Sequence, residues 1–309
     1  MTTEADLATA RAALAGVPML SSLGAASITR LGGLTNLVFR IESAAGLHCL
    51  RVPGKGTSAY IDRRVEAHNA RAAAAAGVSP EVLHFGEDGV MVTRFLGDCV
   101  TMTPQSMCAT PGAPTRAARA FRELHQYQPG FTFRFELFSM IDDYLGHLDK
   151  LGAKLPDGYH EAVRAAQVVR QALAAHELPL APCHCDPLCE NLLDDGRRMW
   201  VIDWEYSGMN DPMWDLGDLS VEAGFEDRHD REMMAAYFGG PARPSEFGRM
   251  VIYKAMCDLL WTLWGLIQHA NRNPVDDFWV YSLNRFERCN RLMATPAFAG
   301  HLQAIRDHA

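Results

Sequence analysis

The chain has no surplus of positive charge. Across 309 residues, 29 lysines and arginines face 37 aspartates and glutamates, a formal net charge of -8 at pH 7. That balance excludes the basic surface on which nucleic-acid binding or attachment to an anionic membrane depends, so neither partner is expected. No apolar run reaches the roughly 20 residues that a membrane-spanning helix needs. The acidic start, Met1-Thr2-Thr3-Glu4-Ala5-Asp6, lacks the positive region of a secretory signal, and a cytoplasmic location is expected. The eight cysteines include no C-x-x-C pair. Cys183, His184, Cys185 and Cys189 cluster, but no second knuckle follows at the spacing a zinc site needs, so they read as small reduced thiols around a loop. There is also no internal repeat, no long low-complexity linker and no G-x-G-x-x-G loop.

What is present centres on His184-Cys185-Asp186-Pro187-Leu188-Cys189-Glu190-Asn191, followed by Val201-Ile202-Asp203-Trp204-Glu205. An Asp precedes an Asn by five positions, and a second Asp closes an apolar run twelve residues later. Kinase-like phosphoryl transfer needs that set. One carboxylate stands beside the attacking hydroxyl, while an amide and a second carboxylate hold Mg²⁺ against nucleotide phosphates. Asp186 is therefore the expected catalytic residue, and Asn191 and Asp203 the expected ligands of Mg²⁺, which prefers hard oxygen donors. His184 is read as a brace for this loop.

The surrounding pattern fits an α+β chain. A helix-prone segment covers residues 4–15. A strand, a turn at Gly32-Gly33 and a second strand run from Ile28 to Ile41, and a third strand runs from Leu47 to Val52, ended by Pro53-Gly54-Lys55-Gly56. A helix is predicted over 61–76, stopped by Gly77. Val82 to Phe85 and Val90 to Phe95 form a second hairpin. From Leu96 onward the chain is mostly helical, apart from residues 183–205. Five strands with one helix between the third and fourth predict a nucleotide-binding N-lobe over 1–95 and a catalytic, substrate-binding C-lobe over 96–309.

On these motifs the chain resembles the choline/ethanolamine kinase branch of the aminoglycoside-phosphotransferase-like kinases, over nearly its whole length. The resemblance implies a two-lobed protein-kinase-like fold, with a five-stranded antiparallel N-lobe and a helical C-lobe, and ATP and Mg²⁺ as cofactors. It also implies that Arg51 occupies the place of the protein-kinase lysine. A guanidinium there bridges phosphate oxygens with fixed geometry, and Glu66 is its natural carboxylate partner. Asn36, just after the glycine turn, joins the nucleotide-binding candidates. Phe95 is expected near the adenine, where Met91 to Gly97 crosses between lobes. Asp203-Trp204-Glu205, in place of Asp-Phe-Gly, belongs with the small-molecule branch. Phe121-Arg122-Glu123-Leu124-His125 reads as a structural helix face, and Asp215 as either a bonding partner of the catalytic-loop backbone or a helix cap.

The acceptor is read from the last third of the chain. A quaternary ammonium offers no N–H and is held best by aromatic faces with a nearby carboxylate. Trp261 and Trp264 lie three apart on one helix, Tyr281 follows, and Glu205 is the expected counter-charge. The resemblance shares all of these, so choline is the expected acceptor. Ethanolamine, an amino sugar, thiamine or an aminoglycoside is the alternative within kinases. A non-catalytic nucleotide-binding protein is the alternative outside them. A small cationic alcohol is the expected partner, and a homodimer is possible in this family.

Overall fold

The computed structural model describes residues 2–21, 27–33, 36–54, 57, 61–128 and 130–307. Leu34, Thr35, Lys55 and Gly56, parts of the expected glycine turn and strand end, lie outside that set.

The chain opens with α1 (Glu4–Ala15) and α2 (Pro18–Ser21). Strands β1 (Ser27–Arg30), β2 (Leu37–Ser43), β3 (Gly46–Val52), β4 (Val82–Phe85) and β5 (Met91–Arg94) form one antiparallel sheet in the order β1-β2-β3-β5-β4. Alternation along the strands divides their side chains between two faces. Phe39, Ile41, Leu50 and Val92 share one face, packed with Ala10, Leu14 and Val17 into a small core. Arg51 lies across from Val38 on one side and Met91 on the other, on the opposite face. The return from β1 to β2 needs Gly33. Its φ is 124°, and a Cβ there would stand 2.3 Å from the Asn36 carbonyl oxygen.

Helix α3 (Arg63–Ala75) connects β3 to β4. Asp62 caps it, its carboxylate accepting from the backbone N–H of Arg64 at 2.9 Å and of Val65 at 3.3 Å. The inner residues of α3, Ala70, Ala72 and Ala73, join the large core of the helical part. The helix therefore straddles the junction and carries Arg63 and Glu66 to it.

The remainder is helical around two small antiparallel sheets. Its elements are β6 (Val100–Thr101), α4 (Pro104–Ala109), α5 (Ala113–His125), α6 (Leu137–Lys150), α7 (Tyr159–Ala165), α8 (Gln167–Ala175), β7 (Ala181–Cys183), β8 (Leu192–Asp194), β9 (Met199–Val201) and β10 (Gly208–Asn210). They are followed by α9 (Met213–Ala223), α10 (Asp227–Phe238), α11 (Pro244–Ala270), α12 (Phe278–Met293) and α13 (Pro296–Arg306). Strands β6, β8 and β9 form one sheet and β7 and β10 the other, so the Asp186 loop leaves β7 and Asp203 follows β9.

Helix α11 corrects one expectation. By length and composition it qualifies as a membrane span, which the absence of a 20-residue apolar run did not anticipate. Its most apolar window is 89% buried within the molecule, among α6, α9, α12 and α13. Its apolar surface is thus spent on the core.

Gly265 sets how closely α12 approaches α11. A Cβ there would meet Ser282 Oγ at 2.4 Å and Tyr281 Cδ1 at 2.6 Å. Gly265→Ala should lower the unfolding free energy by about 1–3 kcal/mol in urea titration, since overpacking forces the helices apart. Unchanged stability would show that α12 is free to shift.

Candidate active site

The Asp186 loop is fixed through its backbone. Asp215, in the first turn of α9, accepts from the backbone N–H of His184 and of Cys185, each at 2.8 Å. The sequence left open whether Asp215 bonds this loop or caps a helix; its carboxylate bonds the loop. His125, read as a plain core histidine, is 2.9 Å from Asp215 through Nε2, and its Nδ1 is 2.9 Å from the Tyr237 hydroxyl. Trp214 donates its indole N–H to the Cys185 carbonyl at 3.1 Å. His184 Nε2 donates to the Ile202 carbonyl at 2.8 Å, and its Nδ1 accepts from the Asp186 N–H at 3.3 Å. The imidazole thus links the Asp186 loop to the segment bearing Asp203, and burial holds its pKa below the ordinary value.

Asn191 completes the link. Its side-chain Nδ2 donates to the Asp186 carbonyl at 3.1 Å, and its own carbonyl accepts from Ile202 N–H at 3.0 Å. That orientation leaves the Asn191 Oδ1 available as a ligand oxygen. Cys185 and Asp203 both adopt left-handed backbone, with φ of 67° and 68°. Such conformations are unfavourable for non-glycine residues and concentrate at functional sites.

At the junction of sheet and helices, Glu66, Asp203 and Glu205 offer oxygens within 4.8 Å of one another. Arg51 pairs with Glu66 and lies 3.6 Å from Asp203 Oδ1 and 3.5 Å from Glu205 Oε1. Arg63, absent from the sequence reading, bonds Glu66 and Glu205 at 2.6 Å each and Thr57 Oγ1 at 2.5 Å. Burial works against the charge of Arg51, but Glu66 and Asp203 outweigh it and hold the guanidinium above its usual pKa. Asp203 is pushed up to about 7, chiefly by burial and then by Glu205, with Arg51 opposing. Its Oδ1 is buried without a hydrogen bond. Three carboxylates around two guanidinium groups, with Asp203 Oδ1 left without a hydrogen bond, suit an additional small divalent cation. Asn191 and Asp203 would hold it.

Asn36 Oδ1 accepts from Gly54 N–H at 3.2 Å, joining the glycine turn to the loop after β3, while its buried Nδ2 has no partner. The Phe95 ring lies under the Arg40 guanidinium, 5.6 Å from it.

The residues expected on the acceptor side separate into two groups. Trp264 packs against Phe278 at 5.5 Å and Tyr281 at 5.8 Å, edge to face. Tyr206, missed in the sequence, accepts the Trp264 indole N–H at 2.9 Å and packs against Trp261 at 5.3 Å. Trp261 itself is only 4% exposed and gives its N–H to Asp218 Oδ2 at 3.1 Å. It serves as backing to the aromatic wall. Glu205 is a correction: its carboxylate is committed to Arg63 and Arg51 and is not a free counter-charge for a substrate cation.

Negative charge near Asp186 comes instead from α9. Burial, then Asp218 and Glu222, raise the Asp186 carboxyl well above the ordinary range, and Arg285 opposes them. Arg285 pairs with Glu222 and Asp258, and its guanidinium covers the Tyr281 ring at 4.7 Å. The signal was present as Asp215, Asp218 and Glu222, spaced three and four apart along one helical face.

Arg63 is the simplest part of this cluster to test. Arg63→Ala strands Glu205 and Glu66 on Arg51 alone. Its unfolding free energy should fall by about 3 kcal/mol, as for other broken buried pairs. Urea titration measures it, and Glu205→Gln in the same chain should recover part of the loss. A single variant as stable as the parent would mean that Arg51 suffices.

A family model described as phosphotransferase enzyme family matches residues 27–250. Protein LicA of Haemophilus influenzae is 26% identical over 275 residues, covering 85% of this chain and 78% of that protein. Ethanolamine kinase 1 of Mus musculus is 23% identical over 282 residues, covering 77% of this chain and 75% of that protein. The crystal structure of a choline/ethanolamine kinase family protein from Mesorhizobium loti matches with a TM-score of 0.90 and 61% identity, over 98% of this chain and 99% of that one. The chain therefore belongs to the phosphotransferase enzyme family, within its choline/ethanolamine kinase group, and is a small-molecule kinase.

Proposed function

We propose that the enzyme transfers the γ-phosphoryl group of ATP, with Mg²⁺, to the hydroxyl of a small cationic amino alcohol of the choline and ethanolamine class. The observation that supports this most is the single bonded unit formed by Asp186, Asn191, His184 and the Asp203 segment. In this reading residues 1–95 carry the nucleotide and residues 96–309 the acceptor.

Asp186 orients the acceptor hydroxyl and takes its proton as attack begins. Burial and the neighbouring Asp218 and Glu222 raise its pKa, which makes the ionised carboxylate a stronger proton acceptor. Arg51 binds the phosphates, and Glu66 with Arg63 keeps its guanidinium in place. Mg²⁺, when bound at Asn191 and Asp203, supplies positive charge against the phosphate oxygens. Asn36 and Phe95 are assigned to the nucleotide. Trp264, Tyr281 and Tyr206 line the side facing the cationic head, with Trp261 behind them. An aromatic wall of this kind receives choline, and it also receives ethanolamine.

Asp186→Ala should lower kcat by between about a hundredfold and ten-thousandfold while Mg²⁺·ATP affinity stays near that of the parent. Coupled ADP release and equilibrium nucleotide binding read the two quantities. Substantial turnover in the variant would remove Asp186 from the chemistry.

A further inference from the structure

The acceptor side of the site has a charge account that does not close among the described residues. Asp258 is paired with Arg288 and Arg285, and Glu222 with Arg285. Asp218 has no ion-pair partner of its own among them. It is 0% exposed, and its Oδ2 accepts the Trp261 N–H. Its Oδ1 is buried with no hydrogen bond at all. A buried carboxylate oxygen left without a donor costs free energy, and a ligand that brings a donor removes that cost. Asp218 is joined to the aromatic residues by geometry: it takes the Trp261 N–H, Trp261 packs against Tyr206, and Tyr206 takes the Trp264 N–H.

The aromatic residues alone do not discriminate between cationic heads. A quaternary ammonium is attracted to ring faces and carboxylates but has no N–H to give. One ring face is already covered, since the Arg285 guanidinium occupies Tyr281. A primary, secondary or tertiary ammonium meets the same walls and can in addition donate to Asp218 Oδ1.

We propose that Asp218 is a specificity-determining residue that selects amino alcohols whose ammonium retains at least one N–H over the fully methylated head. The free Oδ1 accepts that N–H, while Trp261 holds the carboxylate in place through Oδ2. Glu222, neutralised by Arg285, adds a fixed wall. This inference rests on the amino-alcohol reading above and decides between its two acceptors in favour of the N–H-bearing one.

The test is kcat/KM with Mg²⁺·ATP for ethanolamine, N-methylethanolamine, N,N-dimethylethanolamine and choline. In the parent enzyme the largest step should come at the last methylation, where the final N–H is lost. That step should be about tenfold or more, the worth of one charge-assisted hydrogen bond. In Asp218→Asn, which keeps the size and an acceptor for Trp261, the step should shrink to about twofold. The parent series needs no variant to fold and is decisive by itself. Choline turned over as efficiently as dimethylethanolamine would overturn the role of Asp218 and leave the amino-alcohol kinase reading intact. A step of unchanged size in Asp218→Asn would also overturn it. No turnover with any of the four, while Mg²⁺·ATP still binds, would overturn the amino-alcohol reading itself, and this inference with it.

Discussion

Excess negative charge, buried where the sheet meets the helices, is the constraint around which this molecule is arranged. Glu66, Asp203 and Glu205 converge there, and among the described residues Arg51 and Arg63 answer them. Buried carboxylates are tolerated only when paired or when a cation is brought to them. The arrangement therefore holds the two parts of the chain together through Arg63 and Glu205, which are 142 positions apart, and keeps an affinity for a further positive charge. Phosphoryl transfer uses that property: charge spread over phosphate oxygens is stabilised by fixed cations, and little covalent work is left to the protein.

The same logic recurs around Asp186. Asp186 sits near Asp218, Glu222 and Asp203, with Arg285 as the opposing cation. Neither cluster would keep its geometry on a mobile loop. Asp215 fixes the Asp186 loop by two backbone bonds and is itself fixed by His125. Helix α9 contributes both Asp215 and the pair Asp218 and Glu222, so one rigid element positions the loop and these two carboxylates together.

Local spacing made part of this legible in the sequence. Asp186, Asn191 and Asp203 are read from one linear pattern, and the strand bearing Arg51 with the helix bearing Glu66 follows from the order of elements. The ion pair between them is present. What escaped depends on long-range geometry. The left-handed turn at Asp203 and the distant Arg63 send the Glu205 carboxylate to the arginines, and spacing along the chain carries no trace of that. Trp261 and Trp264 look equivalent at three residues apart, yet one is buried behind Asp218 and Tyr206 and the other stands in the aromatic wall. A helical repeat fixes a face and leaves depth undetermined. Helix α11 went unremarked in the sequence as a segment long and apolar enough to span a membrane, and only its burial against neighbouring helices shows it to be a core helix.

The central claim, that this site moves a phosphoryl group to a small amino alcohol, is tested most directly by following ³¹P resonances of Mg²⁺·ATP with enzyme and ethanolamine. The account predicts that the γ-phosphate signal is replaced by a phosphomonoester signal, with one ADP formed for each ester. Release of inorganic phosphate alone, with no ester formed from ethanolamine or choline, would contradict it.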